Sequence, residues 1–318
     1  MNDTMERVSL VSRLRNLFQV REAPILIYTV IMIAVFSVTI NGFFSMKNFE
    51  IISRQITTIG IVSVGMTLVI LTGGFDLSVG AILSFAINIG GQGIVLGWPL
   101  WVVYPFMLVL GIALGWINGF LITRLAVPAL IVTLGTMNIY RGITMVITKG
   151  VYITPIPSAY QIIGRGYIPF IFFAAVLGFF IFVTLTTRFG RNIFAIGGAE
   201  QSALYSGVPV RRYKMLVYVI SGFLSALAGL ILVGKSGFVQ PQAGLGYELN
   251  AIAAVVIGGT SIFGGSGSVL GTFLGSVMLG IILAGLTMLA VNPYWQGLIT
   301  GILIVLAITL DSLRYLKR

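Results

Sequence analysis

Apolar runs of about 20 residues recur along nearly the whole chain, and this blocking constrains the fold more than any other feature. A helix needs roughly 20 apolar residues to cross about 30 Å of hydrocarbon, and only helices or closed barrels leave no backbone group unpaired there. The runs fall at 24–41, 55–72, 78–96, 100–123, 128–148, 168–187, 215–234, 249–262, 269–291 and 295–312. They predict an all-α, polytopic membrane bundle of about ten spans, with residues 1–318 forming a single transmembrane domain. Composition points the same way: 58% of residues are apolar and 8% charged, against roughly 25% charged in a soluble domain.

Ten spans return the chain to its starting side. With a cytoplasmic N-terminus, all but six of the 19 basic residues fall in predicted inner segments, the exceptions being Lys47, Arg54, Arg141, Lys149, Arg165 and Lys235. That bias follows the positive-inside rule, so both termini are expected in the cytoplasm. Two polar stretches project on that side: a basic amphipathic tail over 1–23 and a loop over 188–214. The stretch 249–262 is too short for a straight span and predicts a half-helix or re-entrant segment packed inside protein. The first run lacks a small-residue cleavage site before Asn41-Gly42-Phe43-Phe44 and predicts an uncleaved anchor.

The inventory excludes several chemistries. With no Cys and no His, disulfides, thiolate zinc sites, imidazole bases and Ser-His-Asp triads are ruled out. No catalytic residue, metal ligand or cofactor site is expected. The net charge of +11 is scattered between apolar runs, unlike the clustered patch that binds nucleic acid. One pattern misleads: Gly229 to Ser236 spells the phosphate-loop signature G-x-x-x-x-G-K-[ST]. These residues close an apolar helix rather than follow a strand, so the nucleotide reading fails on context.

Glycines at 111, 115 and 119, and at 267, 271 and 275, set small residues along one face of the fourth and ninth spans, which predicts close helix packing. Charges in the membrane region are candidates in their own right, because an unpaired charge in hydrocarbon is costly. Asp76 and Glu248 each stand where a helix begins and fit a capping role, with a gate or solute contact as the alternative. Arg141 lies within the fifth span, where snorkelling to the interface competes with a place on the pathway.

The loop holds more information. Residues 199–206 suit a short helix with Glu200 in its first turn and Gly207 as its C-terminal cap. Such a knob is either a structured connector or a dock for a soluble partner.

This loop resembles the coupling segment of ATP-binding cassette (ABC) importer permeases. Three more stretches resemble their ribose-type, simple-sugar branch: TGGFDLSVGAILS at 72–84, TLGTMNIYRGIT at 133–144 and PQAGLGYELNAIAAVVIGGTSIFGGSGSVLGTFLG at 241–275. The similarity runs from about residue 50 to the C-terminus, and the last stretch is the most specific. It implies a permease subunit in a bacterial inner membrane, working with an ATPase subunit inside, a solute-binding protein outside and a second permease subunit. By the same likeness Ala199, Glu200, Ala203, Ser206, Gly207, Val208 and Pro209 form the ATPase-coupling segment, and ATP is hydrolysed in the partner chain. The implied activity is import of a monosaccharide or similar small polar solute by alternating access. Asn88, Asn118, Asn138 and Tyr140 join Asp76, Arg141 and Glu248 as pathway or gate candidates, since sugar sites combine ring faces with amides and hydroxyls. Two other classes compete. A secondary transporter needs an ion-coupling acid near the midplane, and a membrane enzyme needs catalytic groups that this inventory lacks.

Overall fold

The computed structural model describes residues 23–315. Apart from Ala23, the predicted basic tail lies outside the described residues. Helix α1 (Ala23–Thr39) precedes α2 (Met46–Leu71), α3 (Val79–Val95), α4 (Leu100–Arg124) and α5 (Ala129–Thr148). A 3-10 helix over Ser158–Gly164 leads to α6 (Ile168–Thr186). Two short helices, α7 (Arg188–Gly198) and α8 (Glu200–Tyr205), come before α9 (Val210–Ser236). Then α10 (Tyr247–Ile257), α11 (Val269–Met288) and α12 (Pro293–Tyr315) complete the described chain.

Each of the ten apolar runs contains a helix. Six of them, α2, α4, α5, α6, α9 and α11, are long and apolar enough to cross a bilayer; α1, α3 and α10 are shorter apolar helices, and α12 is apolar over Trp295–Thr309. The eighth run is the most reduced: α10 has 11 residues, about 16 Å of helix. It starts after Gly246, whose φ of +79° favours glycine, and it buries Glu248 and every residue from Ala251 to Val256 while Leu249 is exposed. Hydroxyl caps start several helices, with Ser45 accepting from the Asn48 amide at α2 and Ser268 from the Gly271 amide at α11.

Helices α2 and α9 form the centre. Every residue of α2 from Ile56 to Leu71 is buried. Ser63 bonds the Ile59 carbonyl and Thr67 that of Ser63, both at i−4, and Thr67 also meets Thr272 of α11 at 2.7 Å, whereas the buried Thr58 hydroxyl has no hydrogen-bond partner. Around α9 pack α4, α2 and α3. The glycines of α4 face it as expected: Cβ atoms at Gly111 and Gly115 would run into Gly222 and Tyr218, and one at Gly119 into Met215. In α11, Gly271 and Gly275 seat against the backbone of Gly258 and Ala254, the end of α10. Both small-residue runs are therefore contact faces.

Peripheral helices show the opposite pattern. On α6, Phe170, Ile171, Phe179, Phe182 and Leu185 are exposed while Phe173 and Phe180 point inward. So many uncovered apolar side chains suit hydrocarbon, not water. The phosphate-loop pattern lies wholly within α9, where Gly229 packs on Leu83 and Ile87, and Gly234 on Gly164. No anion cradle exists there.

Gly222→Ala is expected to lower stability by about 1–3 kcal/mol through overpacking, because the added carbon overlaps the Gly111 carbonyl. Gly178→Ala on α6, with open space around it, should not. Thermal unfolding of the two variants in detergent micelles makes the comparison.

Candidate functional site

The loop between α6 and α9 folds into a compact knob. Thr187 caps α7 by accepting the Gly190 amide, and the amphipathic α7 buries Gly190, Ile193 and Ile196. After Ala199, α8 makes six residues of helix. It ends in a Schellman arrangement: Gly207, at φ +81°, donates to Leu204, and Val208 donates to Ala203, both at 3.0 Å. Ala203 is buried against Ile196 and Val210, which anchors the knob. Glu200 pairs with Lys214 of α9 at 2.6 Å. The remaining face points outward, with Tyr205 87% exposed and Leu204 58% exposed. Glu200, Ala203 and Gly207 are legible in the sequence, whereas these two outward side chains are not.

A second cluster gathers at the start of α3. Asp76 is fully buried and accepts three hydrogen bonds: from the Ser78 amide (3.0 Å), the Ser78 hydroxyl (2.6 Å) and, on its other oxygen, Ser221 of α9 (2.8 Å). Asn118 of α4 donates to the Ser78 hydroxyl at 2.7 Å. The expected helix-start role therefore fits Asp76, and the carboxylate also ties α9 to α3 and, through Ser78, to α4. Three donors offset much of the cost of burying a carboxylate. Tyr140 is buried and donates to Leu114, whereas the amide of Asn138 reaches only Leu134 of its own helix and stays exposed.

The third arrangement explains α10. Between α9 and α10 the chain unwinds over 237–246, where the Gly237 and Val239 carbonyls accept from the Ile156 and Ile153 amides. Side chains bond four further carbonyls. Ser84 donates to Pro241 at 2.6 Å, Asn88 to Gln240 at 3.2 Å, and Arg141 to Gly244 at 3.1 Å and Ala243 at 3.4 Å. Arg141 is thus turned onto these carbonyls. Glu248 accepts from the Gly246 amide at 3.3 Å, as a helix-start acid does. Its other oxygen has no hydrogen-bond partner. A Cβ on Gly80 would lie 2.6 Å from that oxygen and 3.2 Å from the Arg141 guanidinium. Positions 80, 84 and 88 stand four apart, so one face of α3 lies along the unwound segment. A cavity of about 270 Å³ opens beside it, lined by Ser236, Phe238, Gln240, Gln242 and Tyr247 among others.

Asp76 and Asn118 are therefore linked, Arg141 and Glu248 converge on Gly80, and Asn88 serves the unwound segment. Asn138 stands apart. Ser78, Ser84 and Ser221 carry no sequence signal, since a serine in an apolar helix is usually satisfied by its own backbone. Nor does Asp311, whose carboxylate accepts from the Ser261 hydroxyl and the Ile262 amide, each at 3.1 Å.

A family model described as branched-chain amino acid transport system / permease component matches residues 48–308. The ribose import permease protein RbsC of Haemophilus influenzae is 40% identical over 292 residues, covering 89% of this chain and 90% of that protein. RbsC of Bacillus subtilis is 43% identical over 296 residues, covering 88% and 89%. The D-allose transport system permease protein AlsC of Escherichia coli is 37% identical over 296 residues, covering 89% of each. No solved structure matches the chain.

Ser221→Ala leaves one oxygen of a buried carboxylate without its donor, which is expected to cost about 1–3 kcal/mol. Ser225→Ala, which removes only a bond to the carbonyl one turn back, should change little. Thermal unfolding of the two variants side by side decides whether Asp76 is held from α9.

Proposed function

Since the chain belongs to the family of branched-chain amino acid transport system permease components, we propose that it is the transmembrane permease subunit of an ABC importer for a monosaccharide or similar small polar solute. The α8 knob carries this reading. An exposed aromatic ring and an exposed leucine, on a six-residue helix braced by an ion pair and a buried alanine, form a rigid tip suited to a cleft in a soluble partner. We assign that partner as an ATPase subunit, so ATP hydrolysis belongs to another chain.

The solute class follows from the relatives, whose names specify ribose and D-allose. The chemistry of the cavity beside 237–246 agrees with it, since ring faces and amides are what hold a sugar. On this reading that cavity is the outward mouth of the pathway. The ten helices act as ten spans in a bacterial inner membrane, with both termini and the basic loops cytoplasmic. A second permease subunit completes the pathway, for which the exposed face of α5 around Gly135, Asn138 and Gly142 is the candidate wall. A solute-binding protein delivers from outside. ATP binding displaces α8, and the helices tilt between outward-open and inward-open states.

Tyr205→Ala combined with Leu204→Ser is expected to abolish co-purification with the ATPase and ATP-driven sugar uptake in proteoliposomes, leaving thermal stability within about 0.5 kcal/mol, as for other exposed sites. Uptake that follows an imposed ion gradient without any ATPase would overturn the importer reading.

A further inference from the structure

Three segments meet backbone to backbone at the end of the bundle that carries α8. The amide of Gly265 donates to the carbonyl of Leu71, the last residue of α2, at 3.1 Å. Gly197, at the end of α7, lies directly against that bond: a Cβ there would overlap both the Leu71 oxygen and the Gly265 nitrogen. Beside it, a Cβ on Gly264 would fall 2.8 Å from the Gly73 nitrogen, and one on Gly265 2.5 Å from the Gly198 nitrogen. Gly264 and Gly265 hold φ of +85° and +68°, which only glycine adopts without strain.

The loop 258–267 therefore touches the α7–α8 knob at one side and continues from α10 at the other. Asp311 of α12 holds it through Ser261 and Ile262, and Gly258 seats on Gly271 of α11. A side-chain contact absorbs a displacement by changing rotamer, but a backbone contact has no rotamer to change. Whatever moves Gly197 must move Leu71 or Gly265 with it.

We propose that the loop 258–267 is the relay that passes displacement of the α7–α8 knob to α10, with Gly197 as the positioning residue at the contact. The use of this relay in transport rests on the importer reading of α8; the mechanical link itself requires no ATPase. In transport it would carry the ATP signal to Glu248, Arg141 and the unwound segment at the far end of α10.

The chain has no cysteine, so spin labels at Leu249→Cys on α10 and Phe179→Cys on α6, both exposed positions, report α10 by pulsed EPR. In nanodiscs holding the isolated chain, Gly197→Ala is expected to shift this distance. Gly198→Ala, whose Cβ meets nothing within 4 Å, leaves it unchanged. Ser261→Ala adds no bulk and removes one donor to Asp311, so it should broaden the distribution, which gives a readout even if Gly197→Ala fails to fold. In the complex with the ATPase, Gly197→Ala should keep association and basal ATP hydrolysis while uptake falls about tenfold or more, within the usual span of an allosteric coupling. An unchanged distance in Gly197→Ala or an unchanged distribution in Ser261→Ala overturns the relay, as does wild-type uptake by Gly197→Ala. If the isolated chain responds as expected but the wild type binds no ATPase, the relay stands and the importer reading falls.

Discussion

In hydrocarbon every backbone N–H and C=O needs a partner from the protein, and the arrangement of polar residues follows from that requirement. Helices satisfy it internally along most of the chain. The segment 237–246 does not, and the backbone of Ile153 and Ile156 together with the side chains of Ser84, Asn88 and Arg141 bonds it. Those bonds hold α10 as a short helix beginning inside the protein.

Close backbone approach is the second constraint. Helix α9 touches α4 at Gly222, α3 at Gly229 and the 3-10 helix at Gly234. Helix association in lipid gains little from the hydrophobic effect, so packing and interhelical hydrogen bonds must supply the adhesion. Asp76, held by Ser78 and Ser221, adds such bonds at the same junction. The glycine contact of Gly197 with Leu71 and Gly265 applies the same device at a loop, where it links the exposed knob to α10.

Much of the site was legible in residue order. The short helix α8 was readable because its signals are local: an acid in the first turn and a glycine just past its end. The helix-start roles of Asp76 and Glu248 were readable for the same reason. The inward turn of Arg141 was not, since its acceptors lie about a hundred residues away, and neither was the bond from Ser221 to Asp76. The exposure of Tyr205 also depends on how α8 sits against α7 and α9, which no local pattern reports.

By itself the sequence determined that the chain is a helical membrane protein, where its ten apolar helices lie, that α10 is short and that a small knob projects between α6 and α9. Length, hydropathy and capping chemistry are properties of neighbouring residues, so they survive without a fold. Only the tertiary structure decided which polar groups meet. It brought α3 against 237–246, Ser221 against Asp76 and Gly197 against Leu71 and Gly265, because those contacts are set by helix crossings between distant parts of the chain.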